Sequence, residues 1–266
     1  PERRYELFEE SVRRIFASTM NEDALTYRLQ RGLDQHDEQM ALLVQRVSGT
    51  YRKHYFFPEV AGVGLSYNPF VWKQGMDPHA GMLRIVFGLG TRAVNRVEND
   101  YPRIVALDAP LVKSHGGITD ARRFSQHDVD LLNLEDNRFH SLSLMQVVHE
   151  GVEARLDLIG VRDEETSERM RSTGRPAEDV WILTFDELLS GTDFTTVMSR
   201  MLKNLEAVYQ YPIDIEFTAN FNAEGRIQVN LLQCRPFQTK GQKAQIEIPE
   251  KIPKKRVFIR QEGNFM

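Results

Sequence analysis

Polar and apolar positions alternate most cleanly late in the chain. Ile213, Ile215 and Phe217 are apolar, and Asp214, Glu216 and Thr218 between them are polar. That period of two predicts a half-buried strand. A second run, Leu231-Leu232-Gln233-Cys234-Arg235-Pro236, follows the turn signal Asn222-Ala223-Glu224-Gly225. With residues 223–226 as the loop, Asn222 faces Ile227, Glu216 faces Gln233, and Asp214 faces Arg235. Directly opposed residues share a face. Two carboxylates, a carboxamide and a guanidinium then gather on one side. Ile213, Ile215, Leu232, Cys234 and Pro236 are assigned to the core on the other. A slip of one residue would scatter the polar set.

Helical spacing is strongest just before this hairpin. Phe194, Val197, Met198, Met201, Leu202, Leu205, Val208 and Tyr209 form one apolar stripe. Thr192 or Asp193 can cap it, and Tyr211-Pro212 ends it. Residues 4–33 also read as helix, with Tyr5, Phe8, Val12, Ile15 and Phe16 on one side. Its second segment, through Leu25 and Leu29, can be capped by Asn21 and closed by Gly32. The apolar run 40–47 is long enough for one buried strand. Residues 60–69 read as a strand with close-approach glycines, ended by Asn68-Pro69. A strand at 83–87 leads into Gly88-Leu89-Gly90 and an apolar-spaced segment. Two further strands are expected at 101–107 and 140–148. The charged stretch 162–178 reads as a solvent-exposed excursion.

Composition narrows the picture modestly. At 266 residues the chain can hold one large domain or two small ones. A net charge of −4 gives no basic footprint for nucleic acid. Cys234 is the single cysteine, so neither an intrachain disulfide nor a paired-cysteine metal motif exists. No apolar run approaches the length of a membrane span, and no signal peptide is visible. A cytoplasmic location is the expectation. Both chain ends read as cut points within a longer protein.

The polar face suits a triphosphate with its metal. Carboxylates are natural oxygen ligands for Mg²⁺, and an arginine fork neutralises phosphate oxygens. The alternative is a surface hairpin with a cross-strand ion pair of little consequence. Gly88-Leu89-Gly90 could approach a phosphate or ribose, or could be a structural turn; it lacks the ending of a P-loop. His115, before a glycine turn, reads as a loop residue and not as a phosphohistidine.

Asp214-Ile215-Glu216 on one strand and Gln233-Cys234-Arg235-Pro236 on the next resemble the nucleotide-binding domain of phosphoenolpyruvate synthase and pyruvate phosphate dikinase. The order of elements around them, including Gly88-Leu89-Gly90, is similar to the same family. The resemblance implies an α+β, ATP-grasp-like fold: a mixed or antiparallel sheet with helices packed on it. It implies that Glu216, with Asp214 supporting, holds Mg²⁺. Gln233 and Arg235 would contact the nucleotide phosphates, with Glu216 and Arg235 carrying the catalysis. Gln45 and Val47 would offer backbone to the adenine, and Gly88 and Gly90 would approach the ribose or phosphates. Two departures stand out: Thr91 replaces a family glutamate, and Arg96 a family glycine.

By this resemblance, residues 1–240 are the C-terminal part of an ATP-grasp domain with a divergent insertion at about 105–180. Residues 241–266 are a linker and the start of the next domain. The parent would convert ATP, pyruvate and water to phosphoenolpyruvate, AMP and phosphate through a phosphohistidine on another domain. ATP is the direct partner; pyruvate and phosphoenolpyruvate enter through other domains, and a homodimer stays open. Another dikinase with a different acceptor, and a degenerate binding or assembly domain, are the alternatives. The lysine and arginine of the family's N-terminal subdomain have no counterpart here. The chain alone is therefore expected to fold, to be inert and to bind ATP weakly.

Overall fold

A computed structural model describes residues 2–30, 32–37, 39–95, 97–113, 117–173, 179–222, 224–237 and 253. His115, Arg96 and, apart from Pro253, the expected linker and start of the next domain at 241–266 lie outside them. The chain divides into two compact units, Pro1–Val47 and Ser48–Met266.

The first unit carries α1 (Glu2–Ser18) and α2 (Glu22–Gln30). Asn21 caps α2 as expected, its side-chain oxygen accepting from the Ala24 amide at 2.7 Å. Gly32 ends it at φ +65°, and Leu33 N–H reaches back to the Arg28 carbonyl at 2.9 Å. The run 40–47 is not the buried strand expected from its apolar content. It carries no strand or helix, and Leu43 and Val44 are exposed. An apolar run becomes a strand only where a neighbouring backbone completes its ladder, and among the described residues this run has no ladder partner.

The second unit runs β1 (Thr50–Arg52), β2 (Tyr55–Phe57), β3 (Val60–Leu65), β4 (Met82–Val86), α3 (Thr91–Val94), β5 (Arg103–Ala106), α4 (Gly117–Arg123), β6 (Asp128–Asn133), β7 (Arg138–Ser143) and α5 (Leu144–His149). It continues through α6 (Leu156–Ile159), β8 (Gly160–Arg162), α7 (Glu164–Ser172), β9 (Trp181–Leu183), α8 (Asp186–Gly191), α9 (Phe194–Tyr209), β10 (Ile213–Phe221) and β11 (Ile227–Pro236). A five-stranded sheet has the order β11-β10-β3-β4-β5. A four-stranded sheet runs β1-β2-β6-β7, and β8 pairs with β9. Every ladder between these strands is antiparallel. The fold is thus α+β, with antiparallel sheets and packed helices.

One face of the five-stranded sheet is the core. Ile213, Ile215 and Phe217 of β10, Leu83 and Ile85 of β4, and Phe194, Met198 and Leu202 of α9 are buried together. In β3, a Cβ at Gly62 would stand 3.1 Å from the Phe217 ring and 2.3 Å from the Arg84 carbonyl oxygen. Its missing side chain is what lets β10 fill that space. The opposite face is covered only in part: Ala93 of α3 packs on Ala61 and Val86.

Several boundaries differ from the sequence reading. The expected strand at 140–148 breaks after Ser143. A capping box starts α5 there: Ser143 Oγ accepts from the Gln146 amide at 3.2 Å, and Gln146 Oε1 accepts from the Ser143 amide at 2.9 Å. The stretch 162–178 is not all excursion. Asp163 is buried as the N-cap of α7 and bound by Arg122 at 2.6 and 2.7 Å. The stripe of α9 is buried only over its first turns, and Val208 is 80% exposed. Pro236, assigned to the core, is exposed as the last residue of β11, opposite Ile213 at the end of the ladder.

Candidate functional site

The β10–β11 hairpin brings the four polar residues together. Asp214 pairs with Arg235 and Glu216 with Gln233 across the ladder, as the pattern predicted. The route to that register is different. Phe221, not Asn222, faces Ile227, and the ladder keeps that offset as far as Phe217 opposite Leu231. The register then steps over Leu232, and this shift between Glu216 and Phe217 restores the expected pairs. A one-residue bulge therefore does what a shorter loop was expected to do.

Two rows of side chains cross this face. One runs Arg235, Asp214, Leu65, Met82 and Ala106; the other runs Gln233, Glu216, Val63, Arg84 and Ile104. Arg235 Nε donates to both Asp214 oxygens, at 2.7 and 3.0 Å. Asp214 is 13% exposed and Arg235 57%. The pair is therefore anchored on one side and open on the other. Glu216 is half-buried, with no hydrogen bond or ion pair among the described residues. Gln233 is exposed. Asp214 and Glu216 stand two residues apart on the same face of one strand, about 7 Å between Cα atoms.

Gly88 and Gly90 behave differently from each other. Gly88 has φ +91°, and the Leu89 amide donates to the Asp130 carbonyl at 2.8 Å. That bond and the Gly88–Asp130 bridge tie the turn to β6. Gly88 thus has a structural reason to be glycine. Gly90 caps α3 with ordinary right-handed backbone. The adjacent departure, Thr91, donates its hydroxyl to Asp130. Arg92 also binds Asp130, at 3.0 Å, as well as Asp100 and Ser141. The carboxylates around Arg92 raise its pKa against the opposing effect of its burial. The side chains at 91 and 92 are therefore spent on joining α3 to β6 and β7.

Gln45 and Val47 belong to the first unit. They lie in the irregular run described above, Val47 exposed. Among the described residues no group of three or more His, Cys, Asp or Glu side chains could hold a metal. A cation here would have Glu216 and Asp214 as its protein ligands, the rest coming from water or a bound phosphate, as Mg²⁺ commonly accepts. The donor chemistry fits that ion.

The sequence reading passed over Arg84, a charged residue in the middle of an apolar strand. That interruption was the available signal. Among the described residues no helix is long and apolar enough to cross a membrane.

A search among curated proteins found no match. The family model described as pyruvate phosphate dikinase, AMP/ATP-binding domain, matches residues 3–256. A match of that extent takes in both units and the whole polar hairpin, and by it the chain belongs to the pyruvate phosphate dikinase AMP/ATP-binding domain family, a family of dikinase phosphotransferases.

Proposed function

We propose that this chain is the C-terminal, ATP-grasp-like part of the nucleotide-binding domain of a phosphoenolpyruvate synthase-like dikinase, acting in the cytoplasm. The observation that carries the reading is the ladder register that puts Asp214, Glu216, Gln233 and Arg235 on one partly open sheet face. Glu216, which has no hydrogen-bond or ion-pair partner among the described residues, is the carboxylate available to a cation, with Asp214 beside it. Mg²⁺ bound there would offset charge on the phosphate oxygens. Arg235 keeps its Nε on Asp214, which holds the guanidinium plane in place. The side chain is 57% exposed, and a guanidinium is suited to meeting phosphate oxygens. Gln233, opposite Glu216, can donate from its amide. Positioning and charge compensation are the main contributions a protein makes to phosphoryl transfer.

The test is Glu216→Gln in the full-length parent. Mg²⁺-dependent ATP turnover should fall by at least a hundredfold with the melting temperature little changed. Turnover within a few fold of wild type would refute the assignment. A second reading, a non-catalytic binding domain, draws support from Thr91, whose hydroxyl is committed to Asp130 where the family has a glutamate. A parent with no ATP turnover but intact nucleotide binding would favour it.

A further inference from the structure

A cavity of about 380 Å³ opens at the far ends of the two rows, where Met82, Arg84 and Ile104 line it. None of Asp214, Glu216, Gln233 or Arg235 lines it. Its size is that of a small-molecule site. Apolar and aromatic side chains make most of the wall, among them Phe70, Met82, Tyr101, Ile104, Phe124 and Leu183. Three cations join them: Arg84, Arg103 and Lys113.

Arg84 is the unusual member. It stands at the centre of β4, is half-buried, and has no hydrogen bond or ion pair among the described residues. Burial alone pushes its pKa down, with no carboxylate acting the other way. A half-buried charge keeps only part of its hydration, so a guanidinium in that state at a cavity wall has its counter-charge to gain from a ligand. Arg103 adds to the field: it is 11% exposed, its Nε is buried without a partner, and Asp186 is 3.9 Å away. Lys113 binds Asp186 at 2.6 Å. The lining acids do not cancel Arg84. Asp100 is held by Arg92 and by the His127 amide. Asp120, on α4, has an interaction of its own, and no carboxylate raises the pKa of Arg84.

We propose that this cavity is a second ligand site, for a small organic anion. Its carboxylate or phosphate group meets Arg84, and its compact apolar or aromatic body fills the rest. The site lies apart from the four polar residues: Arg84 shares their sheet face and the row of Glu216 but stands two strands away, about 10 Å by strand spacing.

The test is calorimetric titration of the 266-residue chain with phenyl phosphate, benzoate, inorganic phosphate and benzyl alcohol. Phenyl phosphate or benzoate should bind saturably at millimolar concentration or below, and benzyl alcohol should not. Which anion binds tighter identifies the head group, and inorganic phosphate alone should bind more weakly than either. Arg84→Gln should weaken the aromatic anion at least tenfold, and Arg84→Lys should weaken it less. Glu216→Gln should leave it unchanged. No saturable binding of either aromatic anion, equal binding of benzyl alcohol, or indifference to Arg84→Gln would each overturn the proposal. Displacement by Mg-ATP in the wild-type chain would overturn the claim of a separate site. Should Arg84→Gln fail to fold, the comparison of benzyl alcohol with phenyl phosphate on the wild-type chain still decides.

Discussion

Substituting Gly88 and Gly90 separately distinguishes a glycine the turn requires from one a ligand would require. At Gly88 the backbone sits at φ +91°, and an L-residue at positive φ costs about 1–2 kcal/mol. An added Cβ would lie 2.6 Å from the Asp130 carbonyl oxygen and 2.8 Å from Val129 Cγ1. Neither neighbour is the free end of a flexible chain, so the turn itself must move. That strains the packing by about 1–3 kcal/mol and endangers the 2.8 Å bond from the Leu89 amide to Asp130, worth about 1 kcal/mol. Gly88→Ala should therefore cost about 3–6 kcal/mol, a large effect for a single methyl group. At roughly 2–4 °C per kcal/mol for a domain of this size, the melting temperature should fall by about 10 °C.

Gly90→Ala is the control. Its φ of −71° suits any residue, and the added Cβ would touch only Ala61 Cβ, at 3.4 Å. Its stability should stay within about 0.5 kcal/mol of wild type. Thermal melts followed by far-ultraviolet circular dichroism measure both variants. Equal losses at the two positions, or a harmless Gly88→Ala, would refute the geometric argument. If Gly90 is where a phosphate approaches the backbone, Gly90→Ala in the full-length parent should weaken nucleotide binding while the melt stays put.

Three further outcomes follow from named contacts. Arg52 and Glu59 form a buried ion pair, and Glu59 also accepts from the Arg155 amide at 2.7 Å. Glu59→Ala should strand the Arg52 charge and cost about 3–5 kcal/mol in denaturant melts; a loss under about 1 kcal/mol would sink the idea. The Arg122 hydrogen bonds hold Asp163 at a pKa of about 2, against the effect of burial. A depressed folded-state pKa contributes stability above the unfolded value of about 3.9. That contribution is lost as pH falls towards 2, so the wild-type advantage over Asp163→Asn should shrink from pH 5 to pH 2. Arg235→Ala leaves Asp214, 13% exposed, without its guanidinium and should cost about 1–3 kcal/mol, yet weaken nucleotide binding in the parent by tenfold or more. Unchanged binding would argue against its proposed role.

What the sequence disclosed, it disclosed through short-range pattern. The period of two in β10, the stripe at the start of α9 and the Asn21 and Gly32 caps are properties of adjacent residues, and the structure keeps them. The strand expected at 40–47 rested on apolar content, which does not supply a ladder partner. The Ser143 boundary was written locally, as a capping box, but was masked by the β-branched and apolar residues after it. Arg84 and the Asp130 network are different in kind. Their meaning depends on which strands lie beside them, and Asp130 is 39 residues from Thr91. No window along the chain contains both.

The bulge at Leu232 shows how such long-range facts bear on chemistry. Had the offset set at Phe221–Ile227 continued without it, Glu216 would face Leu232 and Asp214 would face Cys234. Gln233 and Arg235 would then point with the core side chains, and an arginine would be driven against Ile213 and Ile215. Neither arrangement is tolerable, because buried unpaired charge is expensive. The hydrophobic face therefore selects the bulge, and the bulge delivers the polar face. Bulges recur next to functional sites because one extra residue re-aims every side chain beyond it. Here it carries the hairpin across a loop one residue longer than the simple count, without breaking the juxtaposition of two acids with an amide and a guanidinium. The same core that makes the fold stable thus fixes which residues meet at the candidate site.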